Sequence, residues 1–176
     1  EHRLLHFQEG PVPEELYEVA PGRARISAPG DDITLVGISY MQTECLRAQR
    51  YLEQVGVSAE VIDPIWLSPL DCDTIVDSVR KTGRLIVVDN GWTECGAAAE
   101  IVAMVKERLP ESHAFGARRM GFAPVTCPPT PALEEHFYPN GRTIASAAYD
   151  MVKGSANGWL PEELPELQEI EFKGPF

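Results

Sequence analysis

The sequence lacks the features of membrane-spanning and nucleic-acid-binding proteins. No apolar run approaches the roughly 20 residues that a transmembrane helix needs, so no membrane contact is expected. Lysine and arginine together number 15 against 27 aspartates and glutamates, which gives a formal net charge of -12 at pH 7. This excess of negative charge repels nucleic-acid phosphates and anionic lipids, so no nucleic-acid partner is expected either.

The cysteines form no metal-binding or disulfide pattern. There is no C-x-x-C pair and no histidine at a ligand spacing from Cys45, Cys72, Cys95 or Cys127. We therefore expect reduced, structural thiols in a cytoplasmic protein. Cys95 precedes a predicted helix, where a thiolate is favoured, and a pairing with His136 through space stays open as an alternative.

Signatures of cofactor binding and hydrolysis are also missing. No G-x-S-x-G elbow occurs, and GISYMQ stands where a dinucleotide site needs G-x-G-x-x-G. The segment Gly91-Trp-Thr-Glu-Cys-Gly96 has the glycine spacing of a P-loop, but Ala97 and Ala98 replace its lysine and hydroxyl residue. Gly96 therefore predicts close packing of a helix on the sheet. We assign no catalytic, cofactor-binding or metal-binding residue in this chain.

Hydrophobic periodicity predicts strands that alternate with helices. Two short extended runs flank a turn signal at 29–32, and we expect them to form an antiparallel hairpin. A further strand is predicted in 58–66, where Asp63-Pro64 brings it to a close, and two more at 85–89 and 113–122. Helices are predicted at 40–54, 71–82, 96–109 and 143–152. Within the second helix, Asp71 is placed to cap the start and Gly83 to take the left-handed position after the end.

This order of elements predicts the fold class α/β. We expect a three-layer α/β/α domain over 23–153, with a mainly parallel sheet of about five strands and one antiparallel edge strand. The Pro- and Glu-rich stretch before it, within 1–22, is expected to be a linker. The acidic, proline-containing segment 154–176 is expected to be an extension. The chain begins EHRLLH rather than with Met, which suggests truncation of a longer polypeptide.

Several motifs in order resemble one known family. They are similar to the C-terminal domain of the β subunit of thiamine-diphosphate-dependent 2-oxo acid dehydrogenases of the pyruvate type, in the transketolase superfamily. The opening residues 1–22 resemble the end of the preceding pyrimidine-binding domain and its linker. The motifs are VIDPIWLSPLD (61–71), KTGRLIVVDNGW (81–92), GAAAEI (96–101) and PTPALEEHFYPN (129–140).

The resemblance implies an assembly role without a catalytic centre in this segment. In this family, thiamine diphosphate and magnesium are bound by other domains, so no cofactor is expected to bind here. The implied partners are a second copy in a homodimer, an α subunit and the acyltransferase core of the complex. The implied compartment is the cytoplasm, or the mitochondrial matrix in a eukaryote.

Four residues are candidates for a subunit interface. Trp92, Phe137 and Tyr138 are large aromatics in predicted loops, Glu94 lies in the same turn as Trp92, and aromatics are enriched at interface cores. An equally weighted alternative has each ring folded back over its own core. Two other functions also stay open: the C-terminal domain of a transketolase or deoxyxylulose-phosphate synthase, and a free-standing, non-enzymatic binding module.

Overall fold

A computed structural model of the chain describes residues 5–6, 8, 10–11, 13–130, 133, 136–154 and 158–164. Most of the predicted extension and parts of the predicted linker lie outside these residues. In the described ranges, no helix is long and apolar enough to span a membrane. The elements are β1 (Arg25–Ala28), β2 (Ile33–Gly37), α1 (Met41–Glu53), β3 (Ala59–Asp63), α2 (Cys72–Thr82), β4 (Arg84–Trp92), α3 (Ala97–Arg108), β5 (Gly116–Phe122) and α4 (Gly141–Lys153).

The strands form one mixed sheet with the order β1-β3-β2-β4-β5. β3, β2, β4 and β5 are parallel, and β1 is antiparallel to β3 at one edge. α1 and α4 pack on one face through a cluster that includes Leu35 and Ile86, whereas α2 and α3 pack on the other through Val36 and Val87. The predicted three-layer α/β/α fold is therefore confirmed.

The predicted hairpin is wrong, because β1 pairs with β3 and not with β2. Arg25 lies opposite Asp63 in this pairing. The turn at 29–32 instead crosses the start of β3, where the Asp32 backbone N–H donates to the carbonyl oxygen of Ser58 over 2.8 Å. A Cβ on Gly30 would lie 2.2 Å from the backbone of β3, so only glycine permits this close crossing.

The ends of α2 follow the predicted local signals. The side chain of Asp71 occupies the N-cap position and accepts a hydrogen bond from the Thr74 backbone N–H over 3.2 Å. Gly83 follows the helix with a φ of 66°, in the left-handed region. Both predicted end signals are confirmed, and together they fix α2 between β3 and β4.

β4 is longer than predicted. It extends to Trp92 because the ladder with β5 shifts register after Val88 and then resumes with Trp92 opposite Phe122. Trp92 is therefore the last residue of a strand. The prediction that it lies in a loop is wrong. This bulge brings the ends of β4 and β5 together at the carboxyl edge of the sheet.

Candidate subunit interface

Four aromatic rings meet where β4 and β5 end, and we call Trp92, Phe122, Phe137 and Tyr138 the aromatic cluster. Phe122 lies at its centre. The centroid of its ring is 5.8 Å from that of Trp92, 4.9 Å from that of Phe137 and 5.1 Å from that of Tyr138. These separations lie in the range that aromatic pairs prefer. Three of the four predicted interface residues are thus neighbours, joined by Phe122.

The rings of the aromatic cluster differ in their exposure to solvent. Phe137 is 5% exposed and so folds back over its own chain, whereas Trp92 is 49% exposed. Phe122 and Tyr138 are partly buried between them. Glu94 lies exposed in the adjacent turn. The cluster therefore presents one apolar ring to solvent on a support of packed aromatics, with a carboxylate beside it.

One glycine and one backbone hydrogen bond allow the cluster to form. A Cβ on Gly121 would lie 2.4 Å from the carbonyl oxygen of Gly91, so the strand ends approach too closely for a side chain there. The Ala123 backbone N–H donates to the carbonyl oxygen of Phe137 over 3.0 Å. This bond returns the long connection before α4 to the end of β5 and so places Phe137 on the cluster.

The turn from β4 to α3 is tight at Gly96. Gly96 has a φ of -88°, so no left-handed conformation requires glycine there. A Cβ at this position would lie 2.0 Å from the carbonyl oxygen of Trp92. Gly96, the N-cap residue of α3, is thus required by the close approach of the end of β4 to the start of the helix.

The cysteines divide into two buried and two exposed thiols, and all four are free. Burial raises the pKa of Cys45, which the charge of Glu44 raises further, and burial also raises the pKa of Cys72. Cys95 and Cys127 are exposed, so these two thiols lie outside the core. Cys95 has a positive φ of 56°, a conformation that turns the chain into α3.

The carboxyl edge carries one half-buried acid and no catalytic arrangement that we can assign. Burial raises the pKa of Asp89, an effect that the hydrogen bond from the Asn90 backbone N–H opposes. Cys95 and His136 are both exposed, and across the described ranges no hydrogen bond joins them. In the same ranges, no group of three or more His, Cys, Asp or Glu side chains is arranged to hold a metal ion.

Residues 22–144 match the family model described as Transketolase, C-terminal domain. The chain belongs to this family. The fold of this chain is similar to that of a solved structure described as a split gene transketolase, inactive beta4 tetramer. That likeness has a TM-score of 0.70 at 27% identity and covers 81% of this chain and 47% of that one.

Two curated relatives are named as β subunits. Acetoin:2,6-dichlorophenolindophenol oxidoreductase subunit beta of Cupriavidus necator is 39% identical over 160 residues, which cover 88% of this chain and 46% of that protein. Pyruvate dehydrogenase E1 component subunit beta of Bacillus subtilis is 39% identical over 137 residues, which cover 78% of this chain and 42% of that protein. The chain therefore spans about half the length of these relatives.

Sequence reasoning missed Phe122, the ring that joins the other three. The periodicity of 113–122 is irregular because most of β5 is exposed, so it gave no sign of which residue faces β4. The alignment of Phe122 with Trp92 depends on the bulge in β4. The one available signal was an aromatic residue at the end of each of two consecutive strands.

Proposed function

We propose that this chain is the C-terminal assembly domain of the β subunit of a thiamine-diphosphate-dependent 2-oxo acid dehydrogenase of the pyruvate type. In this role it supports oxidative decarboxylation and holds no part of the catalytic centre. The observation that carries the proposal is the family match over 22–144 combined with the 39% identity to a pyruvate dehydrogenase β subunit. An acetoin oxidoreductase β subunit is the second candidate, because the relative with that name is also 39% identical to this chain.

The residues at the start of α3 are a poor match for the diphosphate of such a cofactor. A phosphate at a helix start requires donors. Here the carbonyl oxygen of Trp92 lies 2.0 Å, and Oδ2 of Asp89 3.8 Å, from the position that a Cβ of Gly96 would take. Both atoms are acceptors, and one belongs to a carboxyl group. We therefore assign thiamine diphosphate and magnesium to the rest of the full enzyme and not to this chain.

The aromatic cluster and Glu94 are the surface that we assign to subunit contact. Trp92 is 49% exposed although its neighbours pack tightly, and a large apolar ring in that setting gains most from burial against another chain. The solved relative described as a beta4 tetramer is an assembly of β chains, and it is described as inactive. The proposed partners are a second β chain, an α subunit and the acyltransferase core.

A chimera tests this function. Residues 22–153 would replace the matching segment of the Bacillus subtilis pyruvate dehydrogenase β subunit, which would be expressed with its α subunit. We expect the chimera to assemble and to oxidise pyruvate, since the reacting groups lie outside the exchanged segment. A matched chimera with Trp92→Ala should fold but assemble less well. A folded chimera that does not associate with the α subunit would contradict the proposal.

A further inference from the structure

A segment that follows α4 lies against the two helices of one layer. Gly154 ends α4 in the left-handed conformation, with a φ of 66°. Residues 158–164 come next among the described residues, and we call them the strap. Its side chains Trp159 and Leu164 pack against the core cluster that α1 and α4 form with the sheet. The strap contains neither helix nor strand, so its position depends on contacts with these two helices.

The strap turns one face toward the helices and the other toward solvent. The centroid of the Trp159 ring lies 4.7 Å from that of Tyr149 on α4, a separation that aromatic pairs prefer. Pro161 is buried, whereas Leu160 between these two residues is 51% exposed. Successive side chains of an extended backbone point to opposite sides. The strap therefore binds the helices in the manner of an extended peptide ligand.

Arg142, in the first turn of α4, contacts the strap at two points. Its Nε donates a hydrogen bond to the carbonyl oxygen of Pro161 over 2.9 Å. Its Nη1 pairs with Oε1 of Glu163 at 2.9 Å. A guanidinium group that binds a backbone carbonyl and a carboxylate together favours one register of the bound segment, because its donors have a fixed geometry.

The helix α1 supplies a further contact. Oη of Tyr51 accepts a hydrogen bond from the Leu164 backbone N–H over 3.4 Å, and Tyr51 itself is 5% exposed. We call Tyr51, Arg142 and Tyr149 the strap site. It combines a hydroxyl group, a cation and an aromatic ring on two adjacent helices. These groups match a peptide with the order aromatic, any residue, proline, any residue, acid, which is the order of residues 159–163.

The strap lies outside the part of the chain that defines its family. The family model matches 22–144 and so ends within the first turn of α4. All five strands and the helices α1, α2 and α3 lie inside that match. No strand of the sheet pairs with the strap. The strap can therefore leave its site without breaking the hydrogen bonds of the sheet.

We propose that the strap is a peptide ligand that the chain carries itself, and that it binds reversibly at the strap site. The site accepts an extended peptide in which an aromatic residue, a proline and an acid alternate with other residues. While it is bound, the strap covers part of the outer face of α1 and α4. The inference goes beyond the proposed function and does not depend on it, because the strap site is separate from the aromatic cluster.

Cleavage of the folded chain between α4 and the strap tests the proposal. A protease recognition sequence inserted after Gly154 allows the strap to be cut free while it is bound, and a dye at the C-terminus reports its release through fluorescence anisotropy. The cut fragment should stay bound at high concentration and leave on dilution. An excess of synthetic peptide of residues 158–164 should displace it. Circular dichroism should remain that of the uncut chain throughout.

Matched variants identify the contacts that hold the fragment. Trp159→Ala should raise its dissociation constant at least about tenfold, because the ring that packs on Tyr149 is lost. Leu160→Ala removes an exposed side chain next to it and should leave the constant unchanged. Glu163→Gln should raise the constant about threefold, since a partly exposed ion pair contributes little. Glu162→Gln, at the exposed neighbour, is its control.

A variant on the other side of the contact keeps the test decisive if a strap variant folds poorly. Arg142→Met removes both contacts of the guanidinium and should release the fragment more readily than in the parent. A fragment that leaves at every concentration, or that the peptide does not displace, overturns the proposal. Equal retention of the fragment in Trp159→Ala and Leu160→Ala also overturns it. Loss of helical circular dichroism on release does so too, because the strap would then be an integral part of the fold.

Discussion

The buried carboxylate of Glu44 in α1 accepts a hydrogen bond of 2.8 Å from the backbone N–H of Gly141, the first residue of α4. The side chain of Glu44 is 2% exposed and also pairs with Arg47 on its own helix. A Cβ on Gly141 would lie 2.8 Å from Cβ of Arg47, so the two helices touch here. One acid thus binds an otherwise unpaired donor at the start of α4 and holds the two helices of one layer together.

Removal of this acid should destabilise the fold strongly. Glu44→Ala leaves the Gly141 N–H and the Arg47 guanidinium without their buried partner, and we expect a loss of about 3 kcal/mol in the free energy of unfolding. Arg50→Ala, on an exposed position of the same helix, is the matched control and should change it by less than about 0.5 kcal/mol. Urea denaturation measures both variants. Equal midpoints for them would show that the contact contributes little.

The turn before α3 should tolerate no side chain at Gly96. Gly96→Val brings a branched side chain against the Trp92 carbonyl oxygen and should lower stability by about 1 to 3 kcal/mol through overpacking, with no ligand present. Gly10→Val is the control, because a Cβ there meets nothing within 4 Å. Thermal and chemical denaturation report the effect. An unchanged unfolding midpoint for the Gly96 variant would indicate a turn that readily rearranges.

Stability should fall in acid partly because of Glu60. Burial opposes its ionisation, but hydrogen bonds from Lys81 and Ser78, together with the charge of Lys81, hold its pKa below the ordinary value of 4.5. A folded pKa below the unfolded one gives stability that is present above the unfolded pKa and is lost as pH falls through the folded pKa. Glu60→Gln should flatten the acid limb of a plot of unfolding free energy against pH. Glu100→Gln, at an exposed position, should leave that limb as it is.

The isolated chain should not bind thiamine diphosphate. The turn before α3 lacks the lysine of a P-loop, and the carboxyl group of Asp89 lies near Gly96, where it disfavours a bound diphosphate. Calorimetric titration with the cofactor and magnesium should therefore give no heat of binding, and pyruvate should not be decarboxylated. Binding of the cofactor in the micromolar range by this chain alone would contradict its assignment to other parts of the enzyme.

The order of strands and helices can be predicted from the sequence because each element has a repeating apolar face. The ends of α2 can also be predicted, since Asp71 and Gly83 act on residues three or four positions away. The pairing of β1 is different. It depends on Ser58 and Ala59, which are distant in sequence from the turn at 29–32 that crosses them, and no local pattern distinguishes that crossing from a hairpin.

The candidate interface can be predicted only in part, for a similar reason. Trp92, Phe137 and Tyr138 are conspicuous as aromatics near turns, but their meeting point, Phe122, follows from a shift of register in β4. Cys95 is exposed and has a positive φ, and no local pattern in the sequence indicates either feature.

Sedimentation velocity of the parent chain and of Trp92→Ala, Tyr138→Ala tests the assembly role most directly. Trp92 is 49% exposed beside packed aromatics, so its loss should remove contact area without removing much of the core. We expect self-association of the parent that rises with concentration and weakens in this variant. Tyr17→Ala, at a side chain that is 66% exposed and lies outside the aromatic cluster, should associate as the parent does. A parent that stays monomeric at every concentration, or a folded double variant that associates as tightly as the parent, would contradict an assembly role for the aromatic cluster.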